Sequence, residues 1–405
     1  MNKVAFISHG HPSVSKGGAE MASWNLSEYL KTQGIECLYI ARGDDKTDSK
    51  RITYKGQDVI FHTRMHDWFS LGTENTRALV TELADVLKKF APDVVHIHHY
   101  AHIGIELLAA VKLAVPSAKI VFTLHEFMAM CMHNGQMVKT RSLDLCEEAK
   151  YSDCHECFPQ RTSGDFFLRK QFILDQFSNV DQFISPSEFL AERYIQWGIP
   201  KGKLKIIENI LPDIKPIPPS TINDDEKRLK FAFFGQINPY KGLDLLLEAI
   251  ALLPPEYRRN VSLDIHGANL DVQTSDFKTK VTELYEGVKD VVSFKGKYQS
   301  DELSNRIASC DWVVIPSIWW ENSPVVIQEA VRYGRPLIGA DIGGMKEKIA
   351  NKCGLTFTAR DANSLARTLM DASQPSVFDY WHGKLSTPIS SEHEHISLLR
   401  QICDS

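Results

Sequence analysis

The sequence of 405 residues contains no long uncharged apolar segment. The apolar run near its start, Val4 to Ile7, is interrupted by Ser8-His9 and is shorter than the core of a signal peptide. A helix that spans a bilayer needs about 20 mainly apolar residues. We therefore expect a cytoplasmic protein that does not cross a membrane, although it could still contact the inner face of the cell membrane.

Neither sign of charge dominates, because 46 Lys and Arg residues stand against 51 Asp and Glu residues, for a formal net charge of -5. This balance provides no global attraction to nucleic acid, and no nucleic-acid partner is expected. A hydrophobic content of 43% and a charged content of 24% are ordinary for a soluble globular protein. The length allows two or three domains.

Two common phosphate-binding motifs are missing. The order GxxxxGK[ST] does not occur, which excludes a P-loop, and no GxGxxG follows a predicted strand. The second absence counts against a dinucleotide-dependent oxidoreductase.

Cysteine is scarce, and half of the eight cysteines stand alone in the sequence. The other four lie within one short segment: Cys131, Cys146, Cys154 and Cys157. In a reducing compartment such a cluster indicates metal before disulfide. Two interpretations remain open, a structural zinc site in which His133 or His155 could substitute for a cysteine, and four free thiols.

Short patterns typical of buried strands alternate with helical patterns along most of the chain. VAFIS precedes AEMASWNLSEYLKTQG, DVVHIHH precedes IGIELLAAVKLA, and QFISPS precedes EFLAERYIQWG. The alternation restarts later, with FAFFG before GLDLLLEAIALL and DWVVIPS before PVVIQEAVRYG. The pattern predicts an α/β protein with two doubly wound, Rossmann-like domains.

The domain boundaries are predicted from the places where this alternation stops. Residues 213–229 are rich in proline and charge and lack apolar periodicity, so they form the predicted linker. The first domain covers residues 1–212, with a cysteine-rich insertion at 131–158, and the second covers residues 230–372. Residues 373–405 are expected to form a helical tail that returns toward the first domain.

Residues 316–334, PSIWWENSPVVIQEAVRYG, predict a helix entrance with an acid on each side. Ser323 is a favoured N-cap, Pro324 suits the first helical position, and Gly334 suits a left-handed terminus. Glu329 lies about 9 Å along the axis from Ser323, at ~1.5 Å per residue. Together with Glu321 and the free amides of the first turn, it could hold one extended ligand. Taken alone, Glu329 could equally be a solvated helix acid.

Further candidate residues follow predicted strands, where open parallel sheets bind ligands. Gly235 ends FAFFG, and Lys241-Gly242 opens the next helix, an arrangement that suits a diphosphate. His125 ends KIVFTLH, and Gly17-Gly18 stands before the first helix.

These motifs, taken in order, resemble a known family. GGAE, PDVVHIHH, TLHE, SPSEF, FFGQINPYKG, PSIWWENSPVVIQEA and GADIGGMKE are similar to motifs of the retaining glycosyltransferases of family 4, which have the GT-B fold, two Rossmann-like domains facing across a cleft. The resemblance covers nearly the whole chain, and its most specific part is the E-x7-E run from Glu321 to Glu329.

The resemblance implies a hexosyltransferase-type enzyme that moves a sugar from a nucleoside diphosphate sugar to a hydroxyl of a glycan or lipid-linked acceptor, with retention and without a catalytic metal or other cofactor. It implies a role in surface polysaccharide or glycolipid biosynthesis. The first domain would bind the acceptor and the second the nucleotide sugar, and the two would close around one cleft.

The resemblance also implies residue roles. Glu329 would bind the ribose hydroxyls, Lys241 would neutralise the diphosphate leaving group, and Glu321 would contact the sugar near its reacting face. The implied catalytic residues are His125, Lys241 and Glu321. The implied nucleotide-sugar-binding residues are Gly17, Gly18, Gly235, Gln236, Lys241, His266, Glu321, Asn322, Ser323, Pro324 and Glu329.

Gln236 departs from the family pattern, which has an arginine at this position. Glutamine donates hydrogen bonds but carries no charge. Another cation could compensate, donor phosphate binding could be weaker, or the chain could be a catalytically silent sugar-nucleotide-binding protein. A GT-B epimerase acting on the nucleotide sugar is a third alternative, against which the E-x7-E run and GGAE argue.

The roles of several aromatic residues stay open at this stage. A group of four histidines follows one strand, and the resemblance favours polar cleft residues over metal ligands: His96, His98, His99 and His102. His9 and His11 could face donor or acceptor. Of Trp319 and Trp320, one could belong to the core and the other could line the acceptor side.

Overall fold

The computed structural model describes residues 1–15, 17–43, 51–211, 215–221, 226–299, 301–385 and 391–404. The chain divides into two compact units, the first comprising Met1–Pro212 and Ser390–Ser405 and the second Asp213–Ile389. Positions 213, 214 and 222–225 of the predicted linker lie outside the described residues, as do positions 386–390 and 405 of the predicted tail. The stretch predicted as one tail is shared between the two units.

The first unit contains most of the strands. These are β1 (Lys3–Ser8), β2 (Glu36–Arg42), β3 (Ile52–Lys55), β4 (Asp58–Phe61), β5 (Met65–Asp67), β6 (Gly72–Thr73), β7 (Val94–Ile97), β8 (Lys119–Thr123), β9 (Gln182–Ser185) and β10 (Leu204–Ile206). Its helices are α1 (Gly18–Thr32), α2 (Thr76–Phe90), α3 (Leu107–Ala114), α4 (Tyr151–Cys157), α5 (Ser163–Phe177) and α6 (Glu188–Trp197).

Eight of these strands form one sheet in the order β10-β9-β8-β7-β1-β2-β4-β3. Every neighbouring pair is parallel except β3 with β4. The chain starts at β1, builds outward through β2, and later returns to place β7 on the other side of β1. The strand order therefore reverses between β1 and β7, which is the topological switch point where open α/β sheets bind ligands.

The second unit has the same construction. Its strands are β11 (Lys230–Phe234), β12 (Ser262–His266), β13 (Val292–Phe294), β14 (Trp312–Ile315), β15 (Leu337–Ala340) and β16 (Gly354–Phe357). Its helices are α7 (Leu243–Ala251), α8 (Pro255–Arg258), α9 (Ser275–Glu286), α10 (Leu303–Ala308), α11 (Val325–Arg332), α12 (Gly343–Ile349), α13 (Ala362–Ala372) and α14 (Pro375–Lys384). The six strands are all parallel, in the order β13-β12-β11-β14-β15-β16. The switch point lies between β11 and β14.

Both sheets are buried on two faces, which explains why their central strands are continuous apolar runs rather than alternating patterns. Val4 to Ile7 of β1 and Trp312 to Val314 of β14 are at most 1% exposed. The remaining helix, α15 (Glu392–Asp404), contributes Leu399 and Ile402 to the core of the first unit. Within the part of the chain that is described, no helix has both the length and the apolar character needed to cross a bilayer.

Candidate active site

The loops that follow β11 and β14 lie at the switch point of the second sheet, and two close contacts join them. Lys241 ends a 3₁₀ turn, Pro239–Lys241, that the Asn238 side chain caps by accepting the amides of Tyr240 at 3.0 Å and Lys241 at 3.2 Å. Gly242 follows with φ +69°, and a Cβ there would lie 2.0 Å from the Pro316 carbonyl oxygen. Only glycine permits this approach, so the sequence Lys241-Gly242 places the lysine against the loop after β14.

Lys241 pairs with Glu321 across this junction. The Lys241 Nζ donates to Glu321 Oε1 at 2.5 Å, and the same oxygen accepts from Ser317 Oγ at 2.9 Å and Trp319 Nε1 at 2.8 Å. The Glu321 side chain is 9% exposed and that of Lys241 is 27% exposed. Three donors therefore hold a largely buried carboxylate in one orientation, while the ammonium remains accessible. Both charged residues are predicted site residues, but their contact is not evident from the sequence.

The two tryptophans differ in burial, and the core position predicted for one of them is that of Trp320. Trp320 is 8% exposed and belongs to the interior. Trp319 is less buried, its ring centroid lies 5.9 Å from that of Tyr240, and the Lys241 ammonium lies 5.7 Å from its centre. Trp319 thus supports the Lys241–Glu321 pair through its indole N–H and its ring. Ser317 does the same through its hydroxyl, and nothing in its sequence context had marked it.

The turn after Glu321 is held by the first turn of α12, the helix that follows β15. The Gly344 amide donates to the Glu321 carbonyl oxygen at 2.7 Å, and a Cβ at Gly344 would lie 1.8 Å from the Asn322 carbonyl oxygen. The prediction of Ser323 as N-cap is wrong by one position: α11 begins at Val325, Pro324 occupies the N-cap, and no side chain caps the helix there. Pro324 fits the N-cap position because its backbone is extended, with ψ 122°, and because the helix requires no N–H from this residue.

Glu329 lies on α11 and is half-buried. Burial raises the pKa of this carboxyl to about 7, and its charge acts on the nearby phenol groups of Tyr298 and Tyr333. Within the described residues the carboxylate has no hydrogen-bond partner. A partly desolvated acid that no protein group stabilises by a hydrogen bond favours a ligand that brings hydroxyl donors.

His266, one of the predicted nucleotide-sugar-binding residues, lies at the end of β12 with its side chain buried. It is 2% exposed, its ring stacks on Phe234 with centroids 4.5 Å apart, and Arg306 Nη1 lies 3.1 Å from its Nδ1. Burial, assisted by the Arg306 charge, lowers the pKa of His266 to about 4. Arg306 also donates to the carbonyl oxygens of Lys295 and Lys297 and so supports the loop after β13. Contact with a base at this point would therefore use backbone groups.

Gly235 and Gln236 follow β11 directly. Gly235 has φ +155°, and its amide donates to the His266 carbonyl oxygen at 3.0 Å. The Gln236 side chain is exposed. The position where the family has an arginine is thus a solvent-facing neutral amide.

In the first unit, the residues after β1, β7 and β8 gather around the other switch point. His98 Nδ1 and His125 Nε2 lie 3.0 Å apart, and their rings stack with centroids 5.2 Å apart. Burial is the main cause that lowers the pKa of His125 to about 3, with the charges of His9 and His395 adding to it. His125 is therefore a neutral imidazole at physiological pH, able to donate or accept a hydrogen bond.

The glycine loop before α1 wraps around a buried carboxylate. Glu20 is 5% exposed, accepts from Ser15 Oγ at 2.7 Å, and lies 3.4 Å from His9 Nε2. A Cβ at Gly17 would lie 2.4 Å from a Glu20 carboxylate oxygen, so a side chain at that position would displace the Glu20 carboxylate. Glu20, the acid of GGAE, is a residue that sequence analysis quoted without assigning a role.

The histidines after β1 and β7 are mainly internal to the unit. His96, His98 and His99 are 0%, 3% and 5% exposed, His96 bonds to Thr123 Oγ1 at 2.8 Å, and the rings of His9 and His99 lie 4.2 Å apart. Over the described ranges, no set of three or more His, Cys, Asp or Glu side chains is arranged to hold a metal ion.

Comparisons with known proteins agree with this architecture. Residues 16–212 match the model described as Glycosyltransferase Family 4, and residues 218–375 match Glycosyl transferases group 1. The chain is 24% identical over 374 residues to a D-inositol 3-phosphate glycosyltransferase of Gordonia bronchialis, covering 86% of this chain and 75% of the relative.

Solved structures show the same fold at low identity. Anabaena HepE in complex with UDP and glucose is similar with a TM-score of 0.65 and 18% identity, over 100% of this chain and 99% of that chain. A sucrose-phosphate synthase from Thermosynechococcus elongatus is similar with a TM-score of 0.68 and 18% identity, over 100% and 96% of the two chains. The predicted α/β fold of two Rossmann-like domains is confirmed, and the chain belongs to the family 4 glycosyltransferases with the GT-B fold.

Proposed function

We propose that this glycosyltransferase moves a hexose from a nucleoside diphosphate sugar to an acceptor hydroxyl and retains the anomeric configuration. The observation that carries the proposal is the pair Lys241–Glu321, joined at 2.5 Å at the switch point of the second sheet. It supplies an accessible cation for a diphosphate and, beside it, an oriented carboxylate for a sugar. Glu329, farther along α11, supplies an acceptor for the ribose hydroxyls.

In the proposed reaction the bond between the anomeric carbon and the diphosphate oxygen breaks while the acceptor oxygen attacks from the same face. The departing phosphate oxygen takes the acceptor proton, so the enzyme needs neither a nucleophile nor a metal ion. Lys241 would stabilise the negative charge that develops on the leaving group, an effect that commonly amounts to ~3 to 4 kcal/mol. Glu321 would orient the sugar near the reacting carbon.

The remaining predicted residues would position the donor. The backbone at Asn322, Ser323 and Pro324 would contact the sugar, and Gly235 would let the chain approach the phosphates closely. His125, neutral at physiological pH, would donate or accept a hydrogen bond at the transferred sugar. Gly17 and Gly18 would provide close backbone approach in the first unit. None of these roles requires a cofactor.

We propose UDP-glucose as the first donor to test, because the similar Anabaena HepE was solved with UDP-glucose. The acceptor would be a glycan or a lipid-linked saccharide of a surface polysaccharide or glycolipid. The expected location is the cytoplasm, with peripheral contact at the inner face of the membrane when the acceptor is lipid-linked. Cell fractionation with and without that acceptor tests the location.

A second candidate function is a sugar-nucleotide-binding protein without transfer activity, and the exposed neutral Gln236 is the observation in its favour. The transferase interpretation is stronger because the Lys241–Glu321 pair and Glu329 are all present. A nucleotide-sugar epimerase is a third candidate, which product analysis in the absence of acceptor would identify.

A two-step experiment tests the proposal. A thermal-shift panel of UDP, GDP and ADP, with their sugars, first identifies the donor, since a ligand at 100 times its Kd stabilises by about 2.7 kcal/mol. Release of the nucleoside diphosphate is then measured with donor alone and with donor plus acceptor. Acceptor-dependent release with retained configuration in the product supports the transferase. Binding without release over a broad acceptor panel supports the silent protein.

A further inference from the structure

Four cysteines of the first unit surround one small cavity, and we name them the cysteine cluster: Cys131, Cys146, Cys154 and Cys157. All four lie between β8 and α5, all are partly buried, and none forms a disulfide. The cavity has a volume of about 20 Å³. One water needs roughly 10 to 15 Å³ on the same measure, so the space suits a single small ion or molecule.

The first two thiols come from a loop and a hairpin. Burial raises the pKa of the Cys131 thiol, and the backbone amides of His133 and Met137, which donate to its sulfur, oppose that rise. An antiparallel bridge between residues 138 and 145 then turns the chain back, and the Cys146 amide donates to the Met137 carbonyl oxygen at 2.8 Å. Sulfur that accepts backbone amides is suited to bear negative charge, as a metal-bound thiolate does.

The other two thiols come from one helix. Cys154 and Cys157 lie three positions apart on α4, so their side chains share a face. The helix is held to the hairpin by a salt bridge between Lys139 and Asp153 at 3.0 Å. The hairpin thus brings Cys131 and Cys146 to the same cavity, although 14 residues lie between them in the sequence.

Each histidine considered as a substitute ligand places one ring nitrogen near a backbone carbonyl oxygen. His133 Nδ1 lies 2.9 Å from the Val138 carbonyl oxygen, and His155 Nδ1 lies 2.7 Å from that of Arg161. A metal-bound histidine commonly makes such a bond with the ring nitrogen that does not bind the ion. All four cysteines line the cavity, whereas of the two histidines only His133 does. Four sulfurs are therefore the expected ligand set, with His133 as the alternative fourth ligand. No three of these side chains, among the residues described, surround a common point at ligating distance. Rotation of a thiol about χ1 between staggered positions repositions the sulfur without moving the backbone.

A buried cation lies close to the cluster. Arg169 is 6% exposed, interacts electrostatically with Cys131 and Cys154, and donates to the carbonyl oxygens of Met128 at 2.8 Å and Ala129 at 2.6 Å. Four thiolates around a divalent cation carry a net charge of about -2. The guanidinium offsets part of that charge and also fixes the backbone immediately before Cys131.

We propose that the cysteine cluster binds one soft divalent metal ion, with zinc the expected occupant, in a tetrahedral site of four sulfur ligands. Each thiol loses its proton when it binds the metal, so binding releases protons and strengthens as pH rises. Such sites are structural, since no position stays open for substrate. The site would hold the segment that follows His125. At the start of that segment, the Tyr194 hydroxyl donates to the Glu126 carbonyl oxygen at 2.9 Å. This inference does not depend on the donor, the acceptor or transfer activity.

Elemental analysis of the full chain, purified without chelator, is the direct test, and we expect about one zinc ion per chain. The zinc is then removed under reducing conditions and cobalt(II) is added. Four sulfur ligands would produce a sulfur-to-cobalt charge-transfer band together with the intense visible bands of tetrahedral cobalt. The Cys154→Ser variant should lose these bands or bind cobalt at least tenfold more weakly. Cys353→Ser, which removes a buried cysteine of the second unit, is the matched control and should bind normally.

Two results would overturn the proposal. One is a purified chain with less than about a tenth of an equivalent of any transition metal and no charge-transfer band on cobalt addition. The other is Cys154→Ser binding cobalt with the affinity and spectrum of the unaltered chain. The cobalt titration of the unaltered chain needs no variant, so it decides the question even if Cys154→Ser fails to fold.

Discussion

Replacing Lys241 by alanine should separate catalysis from stability. The ammonium contacts Glu321 Oε1 at 2.5 Å and is 27% exposed. Removing it leaves the carboxylate with two neutral donors, from Ser317 and Trp319. Because water reaches the ammonium and screens the pair, the loss of folding free energy should be only about 1 to 2 kcal/mol. Loss of the cation at the leaving group should lower kcat by roughly 100- to 1,000-fold, equivalent to ~3 to 4 kcal/mol.

The assay is steady-state release of the nucleoside diphosphate, paired with urea unfolding of the same samples. Lys280→Ala is a matched control, since Lys280 also pairs with two carboxylates, Asp244 at 2.7 Å and Glu248 at 3.0 Å, but lies on α9 and not in a loop after β11 or β14. It should leave kcat within about twofold. A Lys241→Ala enzyme that retains a third or more of its kcat, or a Lys280→Ala enzyme that loses as much, would refute the reasoning.

Three further variants test other parts of the site. Glu329→Gln should weaken donor binding about tenfold in calorimetry, because a hydrogen bond to a charged acceptor becomes a neutral one. It should also change the pH dependence of unfolding. In the folded wild type the pKa of Glu329 is about 7, above its unfolded value, so the free energy of unfolding falls by roughly 3 kcal/mol as pH rises from 4.5 to 7. Urea titrations in which both proteins show the same dependence on pH would contradict this. Gln236→Arg should tighten binding of the nucleoside diphosphate severalfold at low salt and less at high salt, whereas an unchanged Kd would show that the position does not face the phosphates. Gly344→Ala should destabilise the folded protein by about 1 to 3 kcal/mol in thermal unfolding, because the new Cβ would collide with the Asn322 carbonyl oxygen. The control is Gly383→Ala on α14, where a Cβ has no atom within 4 Å, and this change should be neutral or stabilising.

The buried strands were predictable because both faces of each sheet are covered. VAFIS, FAFFG and WVVI are continuous apolar runs bounded by turn residues, and they became β1, β11 and β14. The strands without a prediction lack that signal. β3 is half exposed, and β6 has two residues. β16 starts at Gly354, whose missing Cβ lets the strand lie against the Leu337 carbonyl oxygen, and a pattern of apolar residues does not reveal such a contact.

The sequence predicts which residues of the site follow strands, but it does not predict which of them contact each other. Lys241 and Glu321 could each be placed after a strand. Their contact requires that β11 and β14 be neighbours in the sheet, and the sequence does not show this, because the two residues lie 80 positions apart. The donors that orient Glu321 were missed because Ser317 and Trp319 have no spacing rule that marks them. The N-cap error at Ser323 arose because serine has the stronger general preference, whereas Pro324 occupies that position here.

The first unit is discontinuous in sequence, and this has a consequence for synthesis of the protein. Its core includes Ile396, Leu399 and Ile402 of α15, and the His395 ring bonds to the Glu208 carbonyl oxygen at 2.9 Å. Residues 390–405 leave the ribosome after the whole second unit. Domains usually fold as they emerge, starting from the N-terminus, but here the unit that begins first is completed after the other. A chain stopped at residue 389 would therefore retain the whole second unit and lack the helix α15 that completes the core of the first unit.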